Sequence, residues 1–322
     1  MAVPKHGGFA KRRAMSAIRD AMNAANADVY HCFDPWALEL GLALKRERRV
    51  RLVYDSTESF PEVYDQRADL VWPVRRHLAA KVRRLEDAAA KLADAIIETN
   101  KTRAKRFEGR GREVVLVPNY PPVETLSEPA ARREPWLCWT GLASRHRGFD
   151  VLLRAFARVA PQFPDAKLKV MGGFDEREDL AVWATEFVRS RGLAQVEFLG
   201  WQPYGRMFEI LAQGLAGIIL LQRGRYNDWT GQPNKLFDFM GSGLAVVAGD
   251  SPEVGWVVRE SGCGVLLDPA DEAAVAEALA AVLADPQRAV KLGLAGRRAV
   301  LERFNWASAE QALLALYGGL WR

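Results

Sequence analysis

Apolar positions along the chain follow one rhythm: short runs typical of β-strands alternate with longer segments that repeat apolar residues at helical spacing. The short runs predict strands at 28–31, 51–55, 95–98, 114–118, 137–141, 168–172, 196–199, 217–221, 245–248 and 264–267. The longer segments predict helices that include 150–159, 177–191, 234–241 and 271–284. Alternation of this kind is typical of α/β proteins with parallel sheets. A proline-rich break, PNYPP at 118–122, divides the pattern into two domains, so we expect a ligand site in a cleft between two facing sheets.

Composition excludes several classes of protein. The chain has 322 residues, of which 49% are hydrophobic, and this suits globular domains rather than a disordered or fibrous chain. No apolar run approaches the ~18 residues that a membrane span needs, and the N-terminal sequence lacks the apolar core of a signal peptide. Three scattered cysteines, Cys32, Cys138 and Cys263, argue against a disulfide framework or a zinc site and predict a reducing cytoplasm.

Positive charge is concentrated in the first part of the chain. Residues 1–118 carry 23 Lys+Arg and 16 Asp+Glu, whereas the remainder carries 22 and 24. The asymmetry indicates either an anionic partner, such as a phospholipid surface or a lipid diphosphate, or a solvated basic helix face. No motif with nucleic-acid spacing accompanies it, so nucleic acid is not expected. Segment 73–91 fits either a helix that lies on a membrane or a surface helix whose apolar stripe faces the core.

Two segments of the second block have the chemistry of a phosphate site. In the first, a predicted strand ends in Gly141, and Arg145, His146 and Arg147 precede a helix that begins at Gly148. Backbone N–H groups at a helix start favour an anion, and arginines add charge-assisted hydrogen bonds. Taken alone, such a loop is also common in purely structural roles.

The second segment, 227–269, contains a Gly-Gln-Pro run that leads into a helix. We predict Asn234 as the N-cap of this helix and Lys235 in its first turn, where a diphosphate could dock on unpaired amides. Asp238 follows about one turn later and can accept hydrogen bonds from vicinal ribose hydroxyls. The alternative is an exposed lysine and a solvated acid, but the order of these residues after the arginine loop favours a phosphate site.

At these residues the chain resembles a known family. The stretch PNKLFDFMGSGLAVVAGDSPEVGWVVRESGCGVLLDP resembles the donor-site signature of the retaining glycosyltransferases of family 4, the glycosyl transferases group 1. Weaker likenesses follow the family order at 27–44, 51–64, 93–119 and 304–317. The resemblance implies the GT-B fold, which has two Rossmann-like domains that face a cleft. Here these would be an acceptor-side domain at 1–120, a nucleotide-sugar-binding domain at 121–305, and a terminal helix at 306–322 that crosses back to the first.

The resemblance also implies roles for residues of the donor domain. The family's Lys-Gly pair appears as Arg147-Gly148, and its Gly-Arg pair appears as Gly141-Leu142, which makes Arg145 a candidate substitute for the missing arginine. Two family glutamates that bracket the donor sugar and ribose fall on Thr230 and Asp238. The implied donor site consists of Gly141, Arg145, Arg147, Gly148, Gly172, Gly231, Gln232, Asn234, Lys235 and Asp238.

The first domain departs further from the family pattern. Thr57 stands where the family has a histidine near the reacting sugar. His31 matches a second family histidine and is a candidate catalytic residue, together with Asp238 and Thr230. The alternative is that His31 is a histidine packed for structural reasons. The family usually has about two further strand–helix units before this point. The resemblance therefore implies a shortened acceptor domain, whose exposed sheet edge would need a cover from another chain.

As a function, the resemblance implies transfer of a hexose from a UDP- or GDP-sugar to a lipid-linked, polysaccharide or other hydroxyl acceptor, with retention of anomeric configuration. It implies no metal and no other cofactor, because cationic side chains and helix amides stabilise the leaving diphosphate. We expect a cytoplasmic protein, peripheral at the inner face of a membrane through its basic domain, in a homo- or hetero-oligomer. The alternative is a non-catalytic glycosyltransferase-like subunit that needs or regulates a partner chain, which Thr57, Thr230 and the shortened domain favour.

Overall fold

The computed structural model describes residues 8–110 and 114–320 of the chain. The chain forms two compact units, residues 1–117 together with 311–322, and residues 118–310. The second unit thus begins at the first proline of the PNYPP break.

A parallel four-stranded sheet in the order β1-β2-β3-β4 forms the centre of the first unit. The strands are β1 (Val29–Cys32), β2 (Arg51–Ser56), β3 (Ala95–Glu98) and β4 (Val114–Leu116). The helices are α1 (Gly8–Ala25), α2 (Pro35–Glu47), α3 (Phe60–Asp65), α4 (Trp72–Leu92) and α5 (Lys101–Ala104). Within the described ranges, β1 pairs with β2 alone, so its outer edge has no strand partner there.

The second unit is built on a parallel six-stranded sheet in the order β10-β9-β8-β5-β6-β7. The strands are β5 (Trp136–Thr140), β6 (Lys167–Met171), β7 (Val196–Gly200), β8 (Ala216–Ile219), β9 (Ala245–Gly249) and β10 (Gly264–Leu267). The helices are α6 (Phe149–Val159), α7 (Leu180–Ser190), α8 (Tyr204–Leu211), α9 (Tyr226–Thr230), α10 (Asn234–Gly241), α11 (Pro252–Ser261), α12 (Glu272–Ala284) and α13 (Pro286–Glu302). A last helix, α14 (Trp306–Leu320), begins in this unit.

The α/β fold with two parallel sheets is confirmed, and the elements lie within a few residues of their predicted positions. The strand predicted at 114–118 ends earlier, at Leu116, shortly before Pro118, a residue with no N–H to donate to a ladder. The helix predicted from 177 begins at Leu180, because the preceding residues form a turn in which Asp175 bonds to Arg177.

The last turns of α14 belong to the first unit. Leu320 is buried beside Val53 and Ile97, and Leu316 and Tyr317 pack against the same cluster. The remaining two residues of the expected terminal helix, 321–322, lie outside the described ranges.

The sequence left open whether the apolar stripe of α4 faces the protein core or a membrane. The buried residues of α4 are Ala79, Val82, Glu86, Ala89 and Ala90, on the side that faces the core. The apolar stripe from Ala79 to Ala90 therefore packs against the core of the first unit. No helix within residues 8–110 and 114–320 is long and apolar enough to cross a bilayer.

A buried ionic cluster joins α4 to the first sheet. The guanidinium of Arg106 lies 2.8 Å from a carboxylate oxygen of Glu98 and 3.4 Å from one of Glu86, and both glutamate side chains are almost fully buried. Burial raises the pKa of Glu98 to about 7 and that of Glu86 to about 7, although Arg106 opposes the shift in each. The two carboxyl groups share one guanidinium. Its charge does not outweigh the effect of burial, so each carboxyl group is protonated readily near neutral pH.

We expect the free energy of unfolding of the first unit to fall as the pH rises from about 4.5 to about 7. In this window the folded protein binds protons at Glu86 and Glu98 that the unfolded chain has released. Glu98→Gln removes one of these two protons and should roughly halve the slope, measured by urea denaturation monitored by circular dichroism.

Glu39→Gln serves as the matched control, because Glu39 is a partly exposed glutamate of the same unit that pairs with Lys81. A Glu98→Gln protein with the slope of the parent would contradict the assignment.

Candidate functional site

The strand order of the second sheet places a crevice at the carboxyl ends of β5 and β8. The chain runs outward from β5 through β6 to β7, then returns to β8 on the other side of β5. At such a reversal the loops leave in opposite directions, and ligands of open parallel sheets bind in the gap.

Glycines end the three neighbouring strands on one side of this crevice. Gly141, Gly172 and Gly200 have φ values of 88°, 142° and 65°, a region that side chains rarely adopt. A Cβ atom on Gly172 would collide with the carbonyl of Gly141. The strand ends are therefore bare backbone, which a ligand can approach closely.

The arginine loop forms one wall of the crevice. Residues 145–147 make a single 3₁₀ turn, and Gly148, with φ 75°, joins it to α6 at a place where a Cβ would collide with the backbone of Leu220. His146 lies 3.4 Å from a carboxylate oxygen of Asp228 and 3.5 Å from one of Glu178. The Nε of Arg147 is buried without a hydrogen-bond partner among the described residues.

Lys235 brings a second cation to the same wall. Its Nζ lies 3.3 Å from the carbonyl oxygen of Thr140 and 3.9 Å from the centre of the Trp139 ring. Burial and then the repulsion of Arg147 lower the pKa of Lys235 to about 7, while Asp228 acts in the opposite direction. The sequence placed Arg147 and Lys235 in one site, and the structure brings the two charges close enough to repel each other.

The start of α10 differs from the expected cap. Pro233 occupies the N-cap position, Asn234 is the exposed first residue of the helix, and the cap makes no side-chain hydrogen bond. The prediction of Asn234 as N-cap is therefore wrong by one residue. A proline at this position carries no side-chain acceptor. The Leu236 N–H donates to the Pro233 carbonyl oxygen at 2.9 Å, which leaves the amides of Asn234 and Lys235 as those that an external anion can meet.

Asp238 lies one turn into α10 and is almost fully buried. Burial raises its pKa to about 7, and the Tyr204 hydroxyl, which donates a hydrogen bond to Oδ1 at 3.2 Å, opposes the shift. A carboxylate in this state is poised to accept further hydrogen bonds from hydroxyl groups, since the bonds would stabilise its charged form.

The segment before α10 holds three more of the predicted residues. Thr230 ends α9, and its hydroxyl donates to the carbonyl of Tyr226 at 2.7 Å, so it can only accept a further bond. Gly231 is buried, and Gln232 donates to a carboxylate oxygen of Glu253 at 2.8 Å. The Oε1 of Gln232 is buried without a hydrogen-bond partner in the described part of the chain.

Arg145 pairs with an acid and does not join Arg147 and Lys235, and His31 belongs to the first unit. The guanidinium of Arg145 lies 2.9 Å from a carboxylate oxygen of Asp179 and over the ring of Trp183. Its positive charge is therefore paired with an acid at the start of α7. His31 belongs to the first unit, where its two ring nitrogens contact the Tyr317 hydroxyl (2.7 Å) and Asp55 (3.2 Å).

A group of metal-ligand type adjoins the arginine loop. Among the described residues, His146, Asp175 and Glu178 place one ligand atom each within 4.8 Å of one another. Asp175 already accepts two hydrogen bonds from the Arg177 guanidinium, at 2.8 and 2.6 Å, and one from the Arg177 backbone N–H at 3.1 Å, and these bonds hold the pKa of this carboxyl well below its usual range. A cation at this place would have to compete with that guanidinium.

Three residues of the site were missed by sequence reasoning. Trp139 supplies the ring below Lys235, Asp228 is the nearby anion, and Tyr204 bonds to Asp238. Trp139 could have been found from its place in a continuous buried strand, and Asp228 from its place just before the Gly-Gln-Pro run. Tyr204 carries no local signal, because it reaches Asp238 from a separate helix.

The family model for glycosyl transferases group 1 matches residues 134–285, which include the arginine loop and α10. Over these residues the chain is similar to the glycosyl transferases group 1 family. A similar protein is a GDP-mannose-dependent α-(1-6)-phosphatidylinositol monomannoside mannosyltransferase of Mycolicibacterium smegmatis, 28% identical over 57% of this chain and 47% of that protein. The chain thus spans about half the length of this curated relative.

Solved structures show the same fold over nearly the whole chain. A sucrose-phosphate synthase from Thermosynechococcus elongatus has a TM-score of 0.78 at 20% identity and covers 100% of this chain and 81% of its own. HepE of Anabaena, solved in complex with UDP, has a TM-score of 0.74 at 16% identity and covers 95% of this chain and 82% of its own. The fold is therefore GT-B.

We expect Lys235 to titrate near pH 7, below the usual range of a lysine, because burial and Arg147 disfavour its charged form. NMR of ¹⁵N-labelled lysine side chains, with Lys235→Met for assignment, measures this directly. Arg147→Gln should raise the pKa of Lys235 and Asp228→Asn should lower it. A pKa of Lys235 in the usual lysine range, unmoved by either change, would show that the charges do not converge.

Proposed function

We propose that the protein is a retaining glycosyltransferase that moves a hexose from a UDP- or GDP-sugar to a hydroxyl of a lipid-linked, polysaccharide or other acceptor in glycan biosynthesis. The observation that carries the proposal is the convergence of Arg147, Lys235 and the uncapped start of α10 at the sheet reversal. Two cations and free amides in one crevice suit a diphosphate. The match of residues 134–285 to the model of the glycosyl transferases group 1 family supports the reaction class.

Each group has a role in this proposal. Arg147 and Lys235 hold the diphosphate, and Asp238 accepts hydrogen bonds from the ribose hydroxyls. Gly172, at the adjoining strand end, leaves room for the base. The Gly231 and Gln232 segment faces the sugar and its phosphates.

In the reaction, the bond between the anomeric carbon and the diphosphate oxygen breaks, and a bond from that carbon to the acceptor oxygen forms on the same face of the sugar. The acceptor proton passes to the leaving diphosphate, so no protein nucleophile is required. Negative charge grows on the diphosphate as the bond breaks, and Arg147, Lys235 and the α10 amides stabilise it. These cations perform the task that a divalent metal performs in other enzymes, which is why we propose a metal-independent reaction.

The acceptor is assigned from the charge of the first unit and from relatives. Residues 1–118 carry the excess of Lys+Arg, which suits an anionic or lipid-linked acceptor at the cytoplasmic face of a membrane. The mycobacterial relative is named for action on a phosphatidylinositol monomannoside with GDP-mannose as donor. The structural neighbour HepE was solved with UDP, so both bases remain within the proposal.

A non-catalytic subunit is the second candidate, and two observations favour it. The Thr230 hydroxyl is bonded to its own helix at the position where the family has a glutamate. Within the described ranges, β1 also leaves its outer edge without a strand partner, which suits a homo- or hetero-oligomer.

Arg147→Ala and Asp238→Ala should each weaken binding of UDP or GDP at least about tenfold, since each removes hydrogen bonds to a charged group worth roughly 1.5–3 kcal/mol. Isothermal titration calorimetry at pH 7.5 measures the effect. Arg158→Ala is the control, because Arg158 is an exposed arginine of the same unit that pairs with Glu272. Affinities of both variants equal to that of the parent would refute the assigned roles.

Incubation with labelled GDP-mannose or UDP-glucose and a phosphatidylinositol or polyprenyl phosphate acceptor separates the two candidates. An enzyme releases nucleoside diphosphate and forms labelled glycolipid, and Arg147→Ala lowers the rate by at least about tenfold because transition-state charge loses a partner. Nucleotide binding without turnover in any combination would favour the subunit.

A further inference from the structure

Of the two arginines that follow β8, Arg225 contacts the arginine loop. Its Nη1 atom lies 3.3 Å from Nε2 of His146, the middle residue of that loop. The guanidinium of Arg223 instead lies 5.1 Å from the centre of the Trp229 ring, within its own segment. The Gln222 N–H donates to the His146 carbonyl oxygen at 2.9 Å, so a backbone bond also joins the two segments. The structure therefore distinguishes Arg225 from its neighbour.

The charge of Arg225 is not neutralised by an acid. Among the described residues, no carboxylate oxygen lies within 4.0 Å of its guanidinium. Arg145, by contrast, is paired with Asp179. A guanidinium has five N–H donors and no acceptor, so His146 Nε2 must be the acceptor in their contact. Because Arg225 is exposed, its other N–H groups are available to an anion in the crevice.

Arg225 belongs to the same group of charges as the two cations of the site. Burial lowers the pKa of His146, and the charges of Arg225 and Arg147 add to that shift. Asp228 opposes the shift in His146, from which it lies 3.4 Å away, and it also opposes the shift in Lys235. The three cations thus surround one imidazole and one carboxylate.

The two guanidinium groups reach the crevice from neighbouring strands. Arg147 follows β5 and Arg225 follows β8, and these are the strands at which the sheet order reverses. In the proposed function, Asp238 takes the ribose one turn into α10, and the first amides of α10 take the diphosphate. Residues that precede α10 therefore lie on the far side of the diphosphate from the ribose, where the terminal phosphoryl group lies.

We propose that Arg225 binds the terminal phosphoryl group of the nucleoside diphosphate, the group that carries the sugar in the donor. This inference rests on the proposed function and adds a third cation to Arg147 and Lys235. When the bond from this phosphoryl oxygen to the anomeric carbon breaks, negative charge collects on that oxygen, and the N–H groups of Arg225 stabilise it.

Isothermal titration calorimetry of the full chain tests the contact with GDP, UDP, GMP, UMP and inorganic pyrophosphate. Arg225→Gln should weaken binding of the diphosphates and of pyrophosphate at least about fivefold, because a charge-assisted contact is lost. The two monophosphates lack the terminal group, so their affinities should not change. Glutamine keeps an N–H donor for His146, whereas Arg225→Lys keeps only a point charge and should fall between Arg225→Gln and the parent.

Arg223→Gln is the matched control, because Arg223 is an exposed arginine two residues away that lies over its own tryptophan. It should leave all five affinities unchanged. Thermal unfolding of each variant verifies that it remains folded.

Several results would overturn the inference. Arg225→Gln with the affinities of the parent for both diphosphates and pyrophosphate would do so and leave the proposed function intact. An equal loss for monophosphates and diphosphates, or an equal loss in Arg223→Gln, would show a general effect of charge and not a contact with the terminal group. If the parent binds pyrophosphate through Arg225 but binds no nucleotide, the phosphoryl contact stands and the proposed function is wrong. No binding of any of the five to the parent would contradict both.

Discussion

The second unit depends on a concentration of positive charge beside the carboxyl end of β5. The Lys235 ammonium lies against the Trp139 ring and the Thr140 carbonyl oxygen. Burial lowers the pKa of Lys235 to about 7, the charge of Arg147 adds to this shift, and Asp228 opposes it. A fold that keeps two cations together loses stability unless an anion joins them, and this is the arrangement expected of an anion-binding site.

Close packing of backbone holds this arrangement in place. Phe239 of α10 lies against Gly217 of β8 so closely that a Cβ there would collide with the ring. Gly148 lies equally close to the end of β8, which fixes the arginine loop at the other side of the crevice. The helix with Lys235 and Asp238 and the loop with Arg147 are thus both positioned by β8. Substitutions at these glycines would move the charges without removing any of them.

Local sequence patterns predicted the strands and helices, whereas the contacts of several site residues depend on parts of the chain that are far apart in sequence. Strands such as β3 and β10 were recognisable because buried parallel strands are short apolar runs with turn residues on either side. The N-cap of α10 was displaced by one residue because local cap preferences favour Asn234, whereas the fold places Pro233 at that position. Trp139 and Tyr204 escaped notice because their roles depend on elements far apart in sequence. His31 was recognised, but its hydrogen-bond partner Tyr317, 286 residues away, was not.

The most direct test is a crystal structure of the protein with UDP or GDP bound. The account predicts the diphosphate at the start of α10, within hydrogen-bond distance of Lys235 Nζ and the Arg147 guanidinium, with the ribose hydroxyls on Asp238. A nucleotide bound elsewhere, or a diphosphate that contacts neither cation, would contradict it.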